Sequence, residues 1–62
     1  MIKATVYQIR EEFILVKRQT VNPLYPLFIV VSKSNISNDN CYLDCSGYVV
    51  PIGGNEYKFY RL

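Results

Sequence analysis

Short runs of β-branched and aromatic residues recur along this chain, and residues that favour turns separate them. Such side chains fit a pleated, half-buried surface, so the pattern predicts a small all-β domain. The chain of 62 residues contains six tyrosines and three phenylalanines. Because nine rings are more than one core of this size requires, we expect some of them to form a binding face.

The length allows one domain, residues 1–62, close to the size at which a single core only just offsets the entropy of ordering the chain. Half of the residues are hydrophobic and 19% are charged, which is the composition of a folded chain and not of a disordered one. A domain this small often gains stability from a partner. We therefore expect self-association, with a homodimer as the simplest form.

The net charge and the length of the apolar runs indicate where in the cell the protein is located and which partners it can bind strongly. The formal net charge of +2 is too small to indicate strong attraction to nucleic acid or to anionic membranes. The longest apolar run, residues 24–31, is interrupted by Pro26 and is much shorter than the roughly 20 residues of a membrane-spanning helix. The first residues lack the apolar core of a signal peptide. The sequence therefore predicts no membrane span and a cytoplasmic location.

Two strands joined by a tight link are predicted at the start of the chain, over residues 2–9 and 13–21. A three-residue hairpin loop at 10–12 would set four cross-strand pairs: Ala4 with Arg18, Val6 with Val16, Tyr7 with Leu15, and Ile9 with Phe13. The alternative is a helix, since one helix face would hold Val6, Ile9, Phe13 and Val16.

The predicted hairpin has two distinct faces. One face holds Ile2, Ala4, Val6, Ile14 and Val16. The other holds Tyr7, Ile9, Phe13 and Leu15, beside Lys3, Thr5 and Lys17. A hairpin that is apolar on both faces is either sandwiched or docks another molecule, so this region is a first indication of binding.

The middle of the chain is predicted to contain a loop, a central strand and a second loop. Two prolines make residues 22–26 a loop. Residues 27–31 show no polar alternation, which predicts a strand covered on both faces at the centre of the fold, with Phe28 in the core. Residues 35–40 are rich in Asn, Ser and Asp and predict the most mobile loop.

The last third of the chain predicts two or three further strands. Residues 41–45 and 48–52 would be strands separated by a turn or bulge at 46–47. Residues 53–55, Gly-Gly-Asn, predict a hairpin turn before a final strand at 56–61. Five or six short antiparallel strands are typical of a small SH3-like barrel or a short sandwich.

The residues that catalysis and metal binding usually need are scarce. The chain contains no histidine, the commonest general base and metal ligand. Cys41 and Cys45 alone cannot complete a closed zinc site, and an extended strand would hold them about 13 Å apart, too far for a disulfide. We favour two reduced thiols over a bridge, and we predict a protein without catalytic residues, metal or cofactor.

A set of aromatic and basic side chains at the two ends of the chain forms the candidate partner-binding face: Tyr7, Phe13, Lys17, Tyr57, Phe59 and Arg61. Tyr, Phe and Arg are enriched at protein interfaces, so we predict a protein–protein interaction module, acting as a small adaptor or inhibitor that occupies a partner's surface. The first alternative is a single-stranded nucleic acid, because residues 57–61 alternate rings with basic residues. The second is a structural homo-oligomer that buries its surplus rings between copies.

Overall fold

The computed structural model describes residues 1–21, 23–37 and 41–62, and these form one antiparallel sheet of five strands. The elements are β1 (Ile2–Ile9), β2 (Phe13–Arg18), β3 (Phe28–Ser32), a 3₁₀ turn (Lys33–Asn35), β4 (Ser46–Gly53) and β5 (Glu56–Arg61). The predicted all-β class is confirmed, and the helical alternative for the start of the chain is wrong. In this part of the chain no helix reaches the length and hydropathy that crossing a membrane requires.

The strand order is β3-β2-β1-β4-β5. Strands β1 to β3 follow one another as hairpin neighbours, and β4 returns to pair with the other edge of β1, which is a Greek key. β5 then extends the sheet through a second hairpin. The centre of the sheet is therefore β1, and the prediction of a central strand at 27–31 is wrong.

Strand β3 lies at one edge of the sheet and is covered on one face only. Ile29 and Val31 are buried, whereas Phe28 and Val30 are 38% and 56% exposed. The placement of Phe28 in the core is therefore also wrong. The run lacks polar alternation because the outward positions of β3 are apolar as well, and not because both faces are covered.

The hydrophobic core lies on one face of the sheet. Its buried members are Ile2, Ala4, Val6, Ile14, Val16, Ile29, Val31, Cys45, Val49 and Phe59. The grouping of Ile2, Ala4, Val6, Ile14 and Val16 on one face of the first hairpin is confirmed, and this is the face that packs in the core. Phe59 is the largest of the fully buried side chains, and Gly47 makes room for its ring: a Cβ on Gly47 would lie 2.5 Å from the Phe59 Cζ atom.

The register of the first hairpin agrees with the prediction up to Val6 and then shifts. The observed pairs are Ala4 with Arg18, Thr5 with Lys17, Val6 with Val16, Gln8 with Leu15, and Ile9 with Ile14. A bulge at Tyr7 adds a residue to β1, so the predicted pairs of Tyr7 with Leu15 and of Ile9 with Phe13 are wrong. The Arg10 amide then closes the turn by donating to the Phe13 carbonyl at 2.8 Å.

The sheet curls so that its two edges approach each other. Ile36, just after the 3₁₀ turn, forms a parallel bridge with Phe59, and the Ser37 amide donates to the Phe59 carbonyl at 3.0 Å. Among the described residues this single bridge is not followed by further strand pairing between the two edges, so the sheet stays open. Neither the predicted closed barrel nor the predicted sandwich is confirmed.

The segment before β4 differs from the prediction. Residues 41–45 form a turn and not a strand: Asp44 has a φ of 68°, and the Cys45 amide donates to the Tyr42 carbonyl at 3.2 Å. Residues 46–47, predicted as a turn, belong to β4. Both cysteines are thiols, with Cys45 buried and Cys41 half-buried.

The remaining turns and loops agree with the prediction in part. The turn at 53–55 is confirmed, with positive φ angles at all three residues. β2 ends at Arg18, earlier than predicted, and the Arg18 guanidinium donates to the Tyr25 carbonyl in the following loop. Of the loop predicted at 35–40, residues 38–40 lie outside the described residues, as does Asn22 of the loop at 22–26.

Candidate functional site

The face of the sheet opposite the core, here called the outer face, carries most of the exposed side chains of the strands. Its members are Lys3, Thr5 and Tyr7 on β1; Phe13, Leu15 and Lys17 on β2; Phe28, Val30 and Ser32 on β3; Ser46, Tyr48 and Val50 on β4; and Glu56, Lys58 and Tyr60 on β5. The surface of the described residues shows no enclosed pocket and no cluster of three potential metal ligands. The outer face is therefore the candidate site.

Tyr7, Lys17 and Phe28 form a group on β1 to β3 that we call the first ring cluster. The Tyr7 and Phe28 ring centroids lie 5.0 Å apart with a 55° angle between the planes. Lys17 pairs with Phe28, and its Nζ lies 6.0 Å from the Phe28 ring centroid. Tyr7 is 51% exposed, so the cluster presents aromatic surface to solvent with an ammonium group beside it.

Lys3, Tyr48, Lys58 and Tyr60 form a second ring cluster on the other side of the sheet. Tyr48 lies between Lys3 of β1 and Tyr60 of β5 in the strand register. The Lys58 Nζ lies 5.3 Å from the Tyr60 ring centroid, and Tyr60 is 40% exposed. The second ring cluster, like the first, thus combines aromatic rings with lysine side chains.

Thr5, Gln19 and Ser46 form a polar strip between the two clusters. Thr5 pairs with Lys17 on one side and with Ser46 on the other. The Gln19 side-chain amide donates to the Thr5 hydroxyl and, at 3.3 Å, to the Ser46 hydroxyl. The Gln19 backbone amide donates to the Lys3 carbonyl at 2.9 Å, which holds the strip in place across β1.

Lysines outnumber carboxylates on the outer face. Its charged side chains are Lys3, Lys17 and Lys58, together with Glu56, which begins β5 and alternates with Lys58 and Tyr60. The other carboxylates of the described residues lie in the turns before β2 and β4: Glu11, Glu12 and Asp44. The exposed rings therefore share their face with three lysines and with one carboxylate at the start of β5.

The structure divides the sequence-predicted binding residues between the two faces of the sheet. Tyr7, Phe13 and Lys17 lie together on the outer face, with Phe13 37% exposed. Phe59 does not belong to any exposed face: it is fully buried in the core, and its proposed role in partner binding is corrected to a role in packing.

Tyr57 and Arg61 alternate with Phe59 along β5 and so lie on the core side of the sheet. Tyr57 is half-buried against the core, with its ring centroid 6.3 Å from that of Tyr25. Arg61 is half-buried, with its guanidinium carbon 5.6 Å from the Tyr42 ring centroid. Neither side chain is joined to the first ring cluster.

The contributions of Phe28, Tyr48, Lys58 and Tyr60 to the outer face were not predicted from the sequence, whereas Lys3 was placed on the correct face of the first hairpin but not among the binding residues. Alternation already separated Lys58 and Tyr60 from Phe59, but it does not say which side faces inward. Gly47 gave the useful indication, because a glycine inside a strand often marks the close approach of a bulky group. That group is Phe59, and its neighbours on β5 consequently point outward.

Comparison with known proteins gives no relative: no family model, no curated protein and no solved structure matches the chain. The candidate site therefore has to be interpreted from its own chemistry. The two clusters offer flat aromatic surfaces and ammonium groups, and the polar strip offers hydroxyl and amide groups. These groups suit recognition of a ligand that is aromatic, polar and anionic.

Proposed function

We propose that this chain is a non-catalytic binding module that takes a single-stranded nucleic acid on its outer face. The observation that carries the proposal is the meeting of exposed rings with lysines at both ring clusters, on a surface whose described residues include three lysines and one carboxylate, Glu56. Bases stack on aromatic rings while lysines neutralise phosphates. The buried centres of protein interfaces are depleted in lysine, whereas here Lys17 and Lys58 lie at the rings themselves.

The topology supports the same function. The OB-fold is a partly open five-stranded Greek-key barrel that binds oligonucleotides on the face of its strands 2 and 3. The present sheet also has five strands and a Greek-key order, and it is curled and open. Phe13, Lys17 and Phe28 lie on the corresponding strands, β2 and β3. We propose this arrangement in place of an SH3-like barrel, although the side chains and not the topology are the main argument.

The small net charge sets the expected strength and salt dependence of binding. Three lysines on the outer face can neutralise about three phosphates, which predicts a slope of about −2 for log K against log salt concentration with a single strand. Stacking of bases on exposed rings contributes about 1–3 kcal/mol per base and depends little on salt. We therefore expect stacking to supply most of the affinity.

Fluorescence anisotropy with a labelled oligothymidylate and a matched duplex tests the proposal, between about 50 and 200 mM salt. We expect the single strand to bind more tightly than the duplex, and Tyr7→Ala to weaken it about tenfold through lost stacking. Lys17→Gln should reduce the salt slope by about 0.7. Lys33→Gln removes an exposed lysine outside the outer face and is the matched control. Titrations without signal at the lower salt concentration would refute the proposal.

A protein partner is the second candidate, and Val30 is the observation that favours it. Val30 is 56% exposed on β3 and pairs with the half-buried Leu15, next to Phe13. Aliphatic groups offer no ring for base stacking and suit the apolar centre of a protein interface. On this proposal the chain acts as an adaptor or inhibitor.

The two candidates respond differently to a change at Val30. Val30→Asn should strongly weaken capture of a protein partner from lysate while it leaves oligothymidylate binding by the ring clusters within about threefold, since it adds no charge and removes no ring. Oligonucleotide titrations without signal, together with capture lost in Val30→Asn, would favour the protein partner. Light scattering over a protein concentration series identifies the third outcome, in which a second copy covers the outer face.

A further inference from the structure

The two ring clusters lie on opposite sides of β1 and are too far apart to hold the same base. The β3 and β5 edges approach each other at the seam of the curled sheet, but the path along the outer face from Phe28 over β2, β1 and β4 to Tyr60 crosses four inter-strand spacings and is about 19 Å long. At the stacked rise of about 3.4 Å per nucleotide this distance corresponds to about six nucleotides, and to fewer in an extended strand.

The surface between the clusters is suited to the backbone of a strand that continues from one cluster to the other. The polar strip presents the Gln19 amide and the hydroxyls of Thr5 and Ser46 there. Hydroxyl and amide side chains commonly contact phosphate oxygens and sugars. Glu56 lies on the outer face at the start of β5, four residues from Tyr60, and the other described carboxylates lie in turns, so none lies between the polar strip and Tyr60.

We infer that one nucleic-acid strand crosses the sheet from β3 to β5 and places bases on both ring clusters, with its backbone over the polar strip. This inference rests on the proposed function and adds a footprint and a direction to it. The footprint is about four to six nucleotides, at the lower end of the range for single-strand-binding domains of this size.

If one strand contacts both ring clusters, the binding affinity should rise in a step once the oligonucleotide is long enough to reach the second cluster. A strand of about two nucleotides reaches one cluster, whereas a strand of about six reaches both. The additional stacking should raise affinity about tenfold to a hundredfold between these lengths, and lengths beyond about eight should add little. Tyr60→Ala should remove this gain without weakening the binding of the shorter strand at the first ring cluster.

The experiment is a calorimetric titration of oligothymidylates of about two, four, six and eight nucleotides into the wild type, Tyr60→Ala and Tyr7→Ala. Leu43→Ala, which shortens an exposed apolar side chain in the turn before β4 and outside the outer face, is the control, and circular dichroism checks that each variant is folded. We expect the length-dependent gain in the wild type and in Leu43→Ala, and its loss in both tyrosine variants.

The outcomes separate this inference from the proposed function. If no oligothymidylate binds at any length, the proposed function itself is wrong. If short and long strands bind equally well, or if Tyr60→Ala weakens all lengths to the same extent, the chain binds nucleic acid but the strand does not cross from one cluster to the other.

Discussion

The packing around Gly47 leaves no space for a larger side chain. A Cβ at this position would lie 2.3 Å from the Tyr60 carbonyl oxygen and 2.5 Å from the Phe59 Cζ. Since that oxygen belongs to β5, opposite Gly47 in the ladder, we expect Gly47→Ala to lower the free energy of unfolding by about 2–3 kcal/mol. Urea denaturation followed by circular dichroism measures the change.

Gly54→Asn is the matched control for this prediction. No atom lies within 4 Å of a Cβ at Gly54, and its φ of 59° is one that asparagine tolerates. We expect a change of less than about 0.5 kcal/mol. Similar losses of stability in Gly47→Ala and Gly54→Asn would contradict the tight contact between β4 and the Phe59 ring.

Phe59 and Tyr60 are adjacent residues with opposite roles. Phe59 is fully buried and Tyr60 is 40% exposed. Phe59→Ala should cost about 3–5 kcal/mol, a large share of the roughly 5–15 kcal/mol that stabilises a typical domain. Tyr60→Ala should cost less than about 1 kcal/mol and act on ligand binding instead. Thermal denaturation of both variants ranks them, and a larger loss in Tyr60→Ala would reverse the assignment of the two faces.

At the scale of the elements, alternation and turn chemistry were sufficient for part of the fold. They separated the two faces of the first hairpin and identified the turn at 53–55, because each depends on residues that are close in sequence. The bulge at Tyr7 was not predictable, since no glycine marks it. The edge position of β3 was missed because pairing between β1 and β4 is a long-range contact that local patterns do not specify.

The candidate site was predictable to a similar extent. Tyr7, Phe13 and Lys17 were identified because the first hairpin had two apolar faces. The contribution of β5 was assigned to the wrong side, since both sides of that strand carry rings: Tyr57 and Phe59 on one, Tyr60 on the other. Only the packing of Phe59 against β4 determines which side is buried.

The turn between β4 and β5 provides a prediction at this scale. Asn55 has a φ of 61°, in the left-handed region that β-branched residues avoid. We expect Asn55→Val to destabilise the hairpin by about 1–2 kcal/mol, whereas Asn55→Gly should be close to neutral because glycine adopts positive φ without steric cost. Comparison of the urea midpoints tests this, and equal midpoints for the two variants would show that the turn does not need a left-handed residue there.

At the scale of the whole molecule, a single copy of the chain is already compact. Its accessible surface is 4178 Å², close to the roughly 4100 Å² expected for a folded monomer of its mass. The radius of gyration of 10.2 Å agrees with the roughly 10.5 Å expected for a compact chain of this length. The exposed rings of the outer face are therefore not a consequence of loose folding.

A ligand that binds this compact state must stabilise it. At a free oligothymidylate concentration of about 100 times Kd, binding adds about 2.7 kcal/mol, which should raise Tm by about 10–20 °C in a domain of this size. The double variant K17Q/K58Q should show a Tm only a few degrees lower without oligonucleotide, because it loses two partly exposed contacts between an ammonium group and a ring, and a smaller increase with oligonucleotide, because two partners for phosphate are lost. A Tm that rises with protein concentration in the absence of oligonucleotide would instead show self-association, and loss of that rise in K17Q/K58Q would place the second copy on the outer face. An equal increase in the wild type and in K17Q/K58Q would place the ligand elsewhere on the molecule.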